Sequence, residues 1–196
     1  MFNDKVCLTQ AVLLLLKEMT RRIAYDKELE HQLHTGWDDS GHLIMCDGWM
    51  QVARSKYAVG EEVAVAQSYK ELIEQGYFRN EHGLIPVELC ECGGYRNKMF
   101  VKADLMPKRI RITSIKLERL QDISDADCLR EGIFIDDERR AVDNNIYAFD
   151  VRGKKHTNRW WFPTAKLAFA TLIDRVSGRG TWNSNPYVFT YSYKLI

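Results

Sequence analysis

Lys17, Thr20 and Arg22 bring a cation, a hydroxyl and a second cation into six residues of chain. In extended backbone Thr20 and Arg22 share parity and point into the same space. A cation beside a hydroxyl suits phosphate or carbonyl oxygen, and a lysine buried enough to lose its proton can act as a base on the hydroxyl. The plainer reading is solvated residues at a helix end, where cations favour the dipole. Glu131 is a second point, in the last turn of an expected helix before Gly132. The dipole there disfavours a carboxylate by a few tenths to about 1 kcal/mol, so Glu131 is either unimportant or held by a partner. Arg21, Arg22, Lys108, Arg109 and Arg111 would form a basic rim for phosphates, or an ordinary mixed surface. Trp160-Trp161-Phe162 follows Lys154-Lys155-His156, a pairing that suits base stacking as well as core anchoring. His31, His34, His42 and Cys46 are weak metal signals, and Cys90-x-Cys92 gives poor tetrahedral geometry, so no metal and no cofactor is expected.

These groups need elements to hold them. Residues 6–8 read as a short strand, and Thr9 as the cap of a helix over 10–18. Residues 20–23 return to extended chain. Residues 26–56 show no lasting period and read as an inserted excursion with one short helix near 26–33. A strand is expected over 62–69, with Val63, Val65 and Gln67 on one side, and a second excursion over 79–107. Residues 109–120 form a strand whose apolar parity changes between Ile112 and Ile115, which requires a bulge at Thr113-Ser114. Ser124 opens a helix that Gly132 stops, with Ile123 and Cys128 at the staple positions. A second helix covers 164–177. The last strand, 186–196, puts Tyr187, Phe189, Tyr191, Tyr193 and Leu195 on one face, which reads as barrel core. Short strands with helices between them and no βαβ rhythm point to an α+β chain built on a small mixed β-barrel.

The chain has 196 residues, 45% hydrophobic and 28% charged, and a net charge of +1. This excludes a wholly basic nucleic-acid coat and fits one domain with two insertions. The longest apolar run, 11–16, is too short for a bilayer, and no leader pattern opens the chain. Cys7, Cys46, Cys90, Cys92 and Cys128 read as reduced thiols. A cytoplasmic protein without a membrane partner is therefore expected.

Four segments resemble the ASCH family of the PUA-like superfamily, in particular its members from phages and prophages. Residues 15–22, LLKEMTRR, are similar to G-R-K-T-x-T-R-R, and residues 59–65, VGEEVAV, to G-D-x-L-W-V. Residues 115–124, IKLERLQDIS, with Glu131-Gly132-Ile133, closely match V-R-V-E-R-L-Q-D-I-S…E-G-I. Residues 182–188 resemble W-x-x-N-P-W-V. Leu15 and Glu18 stand where the pattern carries Gly and Thr. The resemblance implies a small PUA-like β-barrel with flanking helices and a cleft. Small stand-alone relatives hydrolyse N4-acyl cytidines with a Lys, a Thr and a Glu, and Lys17, Thr20 and Glu131 match those positions. Three functions stand open. One is an RNA or modified-nucleotide binder whose cleft is lined by Lys17, Thr20, Arg22 and Glu131. Another is an amidohydrolase of the same cleft, with Thr20 as nucleophile, Lys17 as proton shuttle and Glu131 as orienting group. The third is a phage accessory protein whose excursions bind another protein.

Overall fold

The computed structural model describes residues 8–137, 144–149 and 161–196. Helix α1, Leu8–Leu13, buries Leu8, Thr9, Ala11 and Val12. Val6 and Cys7 of the expected first strand lie outside the described residues, and Leu8 is helical. Thr9 lies within α1, where its hydroxyl accepts from Lys98 Nζ at 2.7 Å. The helix stops well before residue 18. The Leu16 N–H bonds to Ala11 O at 2.8 Å and the Leu15 N–H to Val12 O at 3.0 Å. Leu15 turns the chain at φ +58°, the left-handed ending usually given to glycine. An unbroken apolar run carries no stop signal, so the sequence hides this turn. The tertiary bond from the Glu18 N–H to Arg130 O, 2.8 Å, holds the segment beyond it.

Strand β1, Met19–Tyr25, is the edge of a four-stranded sheet. Its order is β1, then β9 (Tyr187–Leu195), β6 (Arg109–Arg119) and β5 (Glu62–Ala64). Every strand pairing among the described residues is antiparallel, so the sheet is a curled antiparallel half-barrel rather than a mixed one. The register of β6 on β9 shifts between Ile112 and Ser114, which is the bulge the parity change requires. Through it Ile110, Ile112 and Ile115 all join Phe189, Tyr191 and Tyr193 on one face.

Residues 26–56 cover that face. They form a meander, β2 (Leu33–Trp37), β3 (Leu43–Asp47) and β4 (Met50–Arg54), and not a helix near 26–33. The alternation in β3 decides this. Leu43 and Met45 enter the core, and buried Asp47 accepts from the Glu30 and His31 N–H groups at 2.8 and 2.6 Å. The strand expected over 62–69 ends at Ala64, because Ser68 and Glu71 form a capping box that starts α2, Tyr69–Glu74. Residues 79–107 hold α3 (Val87–Glu91) and three short 3₁₀ turns.

The opposite face carries helices. α4, Asp125–Arg130, is capped by Ser124, whose side chain accepts from the Asp127 N–H. β7 (Phe134–Ile135) pairs with β8 (Tyr147–Ala148). α5, Ala165–Ser177, starts at the Thr164 cap and buries Ala168, Phe169, Leu172 and Ile173 against Ile123, Cys128 and Val188. α6, Thr181–Ser184, leads to Asn185 at φ +44°. There the Asn185 side-chain oxygen accepts from the Gln121 N–H at 2.8 Å, joining the end of β6 to the start of β9. No helix among the described residues is long and apolar enough to cross a membrane.

Candidate functional site

Lys17, Arg21 and Glu131 are 3, 6 and 3% exposed. The turn at Leu15 carries Lys17 to the C-terminal end of α4. There its Nζ donates to Glu131 Oε2 at 2.5 Å and to the Glu131 backbone carbonyl at 2.8 Å. Gly132, at φ +99°, ends the helix beside the Lys17 side chain, whose Cβ would lie 3.5 Å from any added Cβ. The second carboxylate oxygen of Glu131 accepts from Arg21 Nη1 at 3.0 Å. A carboxylate at a helix C-terminus is thus held by two cations, which offsets the dipole against it.

Arg21 carries the ions onward. Antiparallel register sets Arg21 level with Thr190 of β9, and Thr190 level with Lys116 of β6. Side chains opposite one another share a face. Arg21 Nε and Nη2 donate to Glu118 Oε1 at 3.0 and 2.6 Å, and the Thr190 hydroxyl donates to the same oxygen at 2.8 Å. Lys116 bridges Glu118 Oε2 at 2.9 Å and Asp127 Oδ2 at 3.2 Å. Burial works against the Glu118 charge, but hydrogen bonds from Lys116, Arg21 and Thr190 outweigh it and hold the carboxyl below its usual range. Asp127 is likewise held low despite its burial, through Lys116 and the Arg21 charge. Burial pushes the Lys17 ammonium down, and Glu131 works against that fall.

A cavity of about 540 Å³ opens beside β1, bordered by Lys17, Thr20, Arg22 and Glu131 with Leu8 and Phe169 as apolar wall. That size falls within the range of small-molecule sites. Residues of both faces of β1 border it because β1 is an edge strand. Thr20 and Arg22 do share parity, but Thr20 is level with Tyr191 and Arg22 with Phe189, on the face away from Arg21. The Thr20 hydroxyl makes no hydrogen bond to Lys17 or Glu131.

The expected basic rim does not assemble. Arg21 is buried in the ion network. Arg111 is level with Lys194 at the far end of β9 and pairs with Glu62 at 2.6 Å. Lys108 and Arg109 lie at the same far end, with Arg109 Nη2 3.9 Å from Asp104. Parity and charge cannot show that these residues lie at different levels of β9, Arg22 beside Phe189 and Arg111 beside Lys194. Lys154, Lys155, His156 and Trp160 lie outside the described residues. Trp161 packs edge-on against Phe134 and Phe162 stacks on Phe149, at 6.3 and 5.9 Å. Tyr191 and Tyr193 are core. Cys46 and His34 face each other across β2 and β3, while Cys90 and Cys92 are exposed. Among the described residues no three metal-ligating side chains cluster.

Sequence reasoning missed Lys116, Glu118 and Asp127. Their signal was present, since Lys116 and Glu118 alternate with Ile115 and Leu117 on one strand. No protein-family model matches the chain, and no curated protein or solved structure shows significant similarity to it.

Proposed function

We propose that the chain is an ASCH-type, PUA-like protein that binds a nucleoside or nucleotide, free or within RNA, in the cavity beside β1. The observation that carries this reading is convergence. Lys17, Thr20, Arg22 and Glu131, more than a hundred residues apart at the extremes, border one cavity, and Lys17 grips Glu131. Two further features support it. Leu15, where the family pattern carries glycine, takes the left-handed backbone a glycine favours. Gln121 of the third matching segment bonds to Asn185 of the fourth, so segments alike in sequence also meet in space.

Isothermal titration with cytidine and N4-acetylcytidine tests the reading. Saturable binding by the parent, weakened about tenfold or more in Arg22→Gln through loss of a charge-assisted contact, is expected. A parent that takes up neither nucleoside at millimolar concentration overturns it. A second reading, hydrolysis of N4-acylated cytidine, is favoured by the lowering of the Lys17 ammonium through burial, with Thr20 on the same cavity. Release of acetate from N4-acetylcytidine by the parent and not by Thr20→Val would establish it. Unchanged N4-acetylcytidine after prolonged incubation would remove it and leave the binding reading standing.

A further inference from the structure

β1 borders a second cavity on its other face, of about 380 Å³, closed on the far side by β4. Arg22, Arg54 and Lys56 line it, and among the described residues no carboxylate does. In a chain with 28 basic and 27 acidic residues this is a local excess of cations. Arg54 is held from outside the cleft by Asp38, Nε to Oδ2 at 2.6 Å. Lys56 is exposed, with its backbone tied to the sheet. Its backbone N–H donates to the Tyr191 hydroxyl at 2.8 Å, and its ammonium lies 5.4 Å from the centre of the Tyr57 ring. Arg22 and Ile23 border both this cleft and the cavity at Lys17, so the two adjoin along β1.

We propose that this cleft binds the phosphate of a nucleotide or nucleic-acid strand whose base and sugar occupy the cavity at Lys17. The proposal rests on the nucleoside reading of that cavity. The Arg54 guanidinium, held through its Nε by Asp38, and the Lys56 ammonium in the same cleft suit a phosphate oxyanion, which would share Arg54 with that carboxylate. Arg22 stands at the junction, where a phosphate joined to a sugar in the first cavity would enter the second. Arg54 and Lys56 belong to the 26–56 excursion, which would then extend a nucleoside pocket into a nucleotide or strand site.

The test compares cytidine, cytidine 5′-monophosphate and a five-residue oligocytidylate on the parent and on an Arg54→Gln/Lys56→Gln double variant. In the double variant, oligocytidylate binding should weaken by at least about tenfold, and its log–log salt slope should flatten by about 1.4 for two lost phosphate contacts. Cytidine binding should not change. Equal loss for the monophosphate assigns the site to a phosphate monoester; loss confined to the oligonucleotide assigns it to the diester. Cytidine binding with oligonucleotide affinity and salt slope unchanged in the variant overturns the cleft alone. Oligonucleotide binding that responds to the variant in a protein deaf to cytidine keeps the cleft and overturns the cavity reading. Binding of none of the three probes by the parent overturns both.

Discussion

The two faces of the four-stranded sheet share one set of backbone hydrogen bonds and are held by different forces. Toward the meander, Ile112, Ile115, Phe189 and Tyr191 form a continuous apolar layer. Toward the helices, Arg21, Lys116 and Glu118 form a row of ions, joined by the Thr190 hydroxyl, that reaches Glu131 and Lys17. An apolar side chain can be exchanged for another of similar volume at small cost. A buried ion is tolerable only with its partner in place. The bulge in β6 creates this division, because it switches parity so that Lys116 and Glu118 face the helices while Ile115 continues the apolar layer. Lys17 and Glu131 of the candidate site therefore sit on the side held by charge pairing, while Thr20 and Arg22 reach the same cavity from the other face of the edge strand.

Removing one ion should separate the faces most. Glu131→Ala leaves Lys17 and Arg21 buried without their shared carboxylate, and should lower the unfolding free energy by about 3–5 kcal/mol in urea titration. Lys17→Met combined with Glu131→Leu should recover a large part of that loss; if the pair is as unstable as the single variant, pairing is not what holds this face. On the apolar side Ile112→Ala should cost about 2–5 kcal/mol through its cavity, and no charge substitution elsewhere should rescue it. Tyr191→Phe removes the acceptor of the Lys56 N–H and should cost about 1 kcal/mol by the same titration.

The gentlest probe is acid. Glu118 and Asp127 titrate below their ordinary 4.5 and 3.8 in the folded chain. Their contribution is complete above those values and is lost as pH falls through the lower folded ones. The urea midpoint of the parent should therefore drop below about pH 4.5 more steeply than that of Glu118→Gln. Parallel pH profiles would show that the row contributes nothing that depends on charge.

The same two faces divide what the sequence made readable. Period-two alternation and the parity fault in β6 identified the apolar layer, the bulge and the last strand. Ser124, Thr164 and their glycine stops delimited α4 and α5. Helix α1 was misjudged because three exposed leucines, Leu14, Leu15 and Leu16, continue an apolar pattern past its end. The meander was missed because its strands are short and its Gly and Asp turns hid the alternation of Leu43, Met45 and Asp47. At the candidate site, Lys17 and Glu131 were legible as residues of note, a cation near a hydroxyl and a carboxylate ill placed at a helix end, and they pair with each other. The buried role of Arg21 was not, since adjacency to Arg22 says nothing of which face is closed. Pairing across strands is a property of register, which no single segment carries.

Leu15 stands 63% exposed in a left-handed turn, where a side chain bearing a Cβ costs roughly 1–2 kcal/mol. Its side chain lines an apolar groove with Leu16, Leu129 and Phe134. Leu15→Gly should raise the thermal midpoint slightly, since relief of the turn exceeds the added freedom of the unfolded chain. Yet no single-base change converts a leucine codon to a glycine codon. Natural variation would have to pass through an intermediate residue that keeps the Cβ or loses the apolar contact. Replacing the strained residue in the turn that delivers Lys17 therefore takes two base changes and gives up an apolar contact.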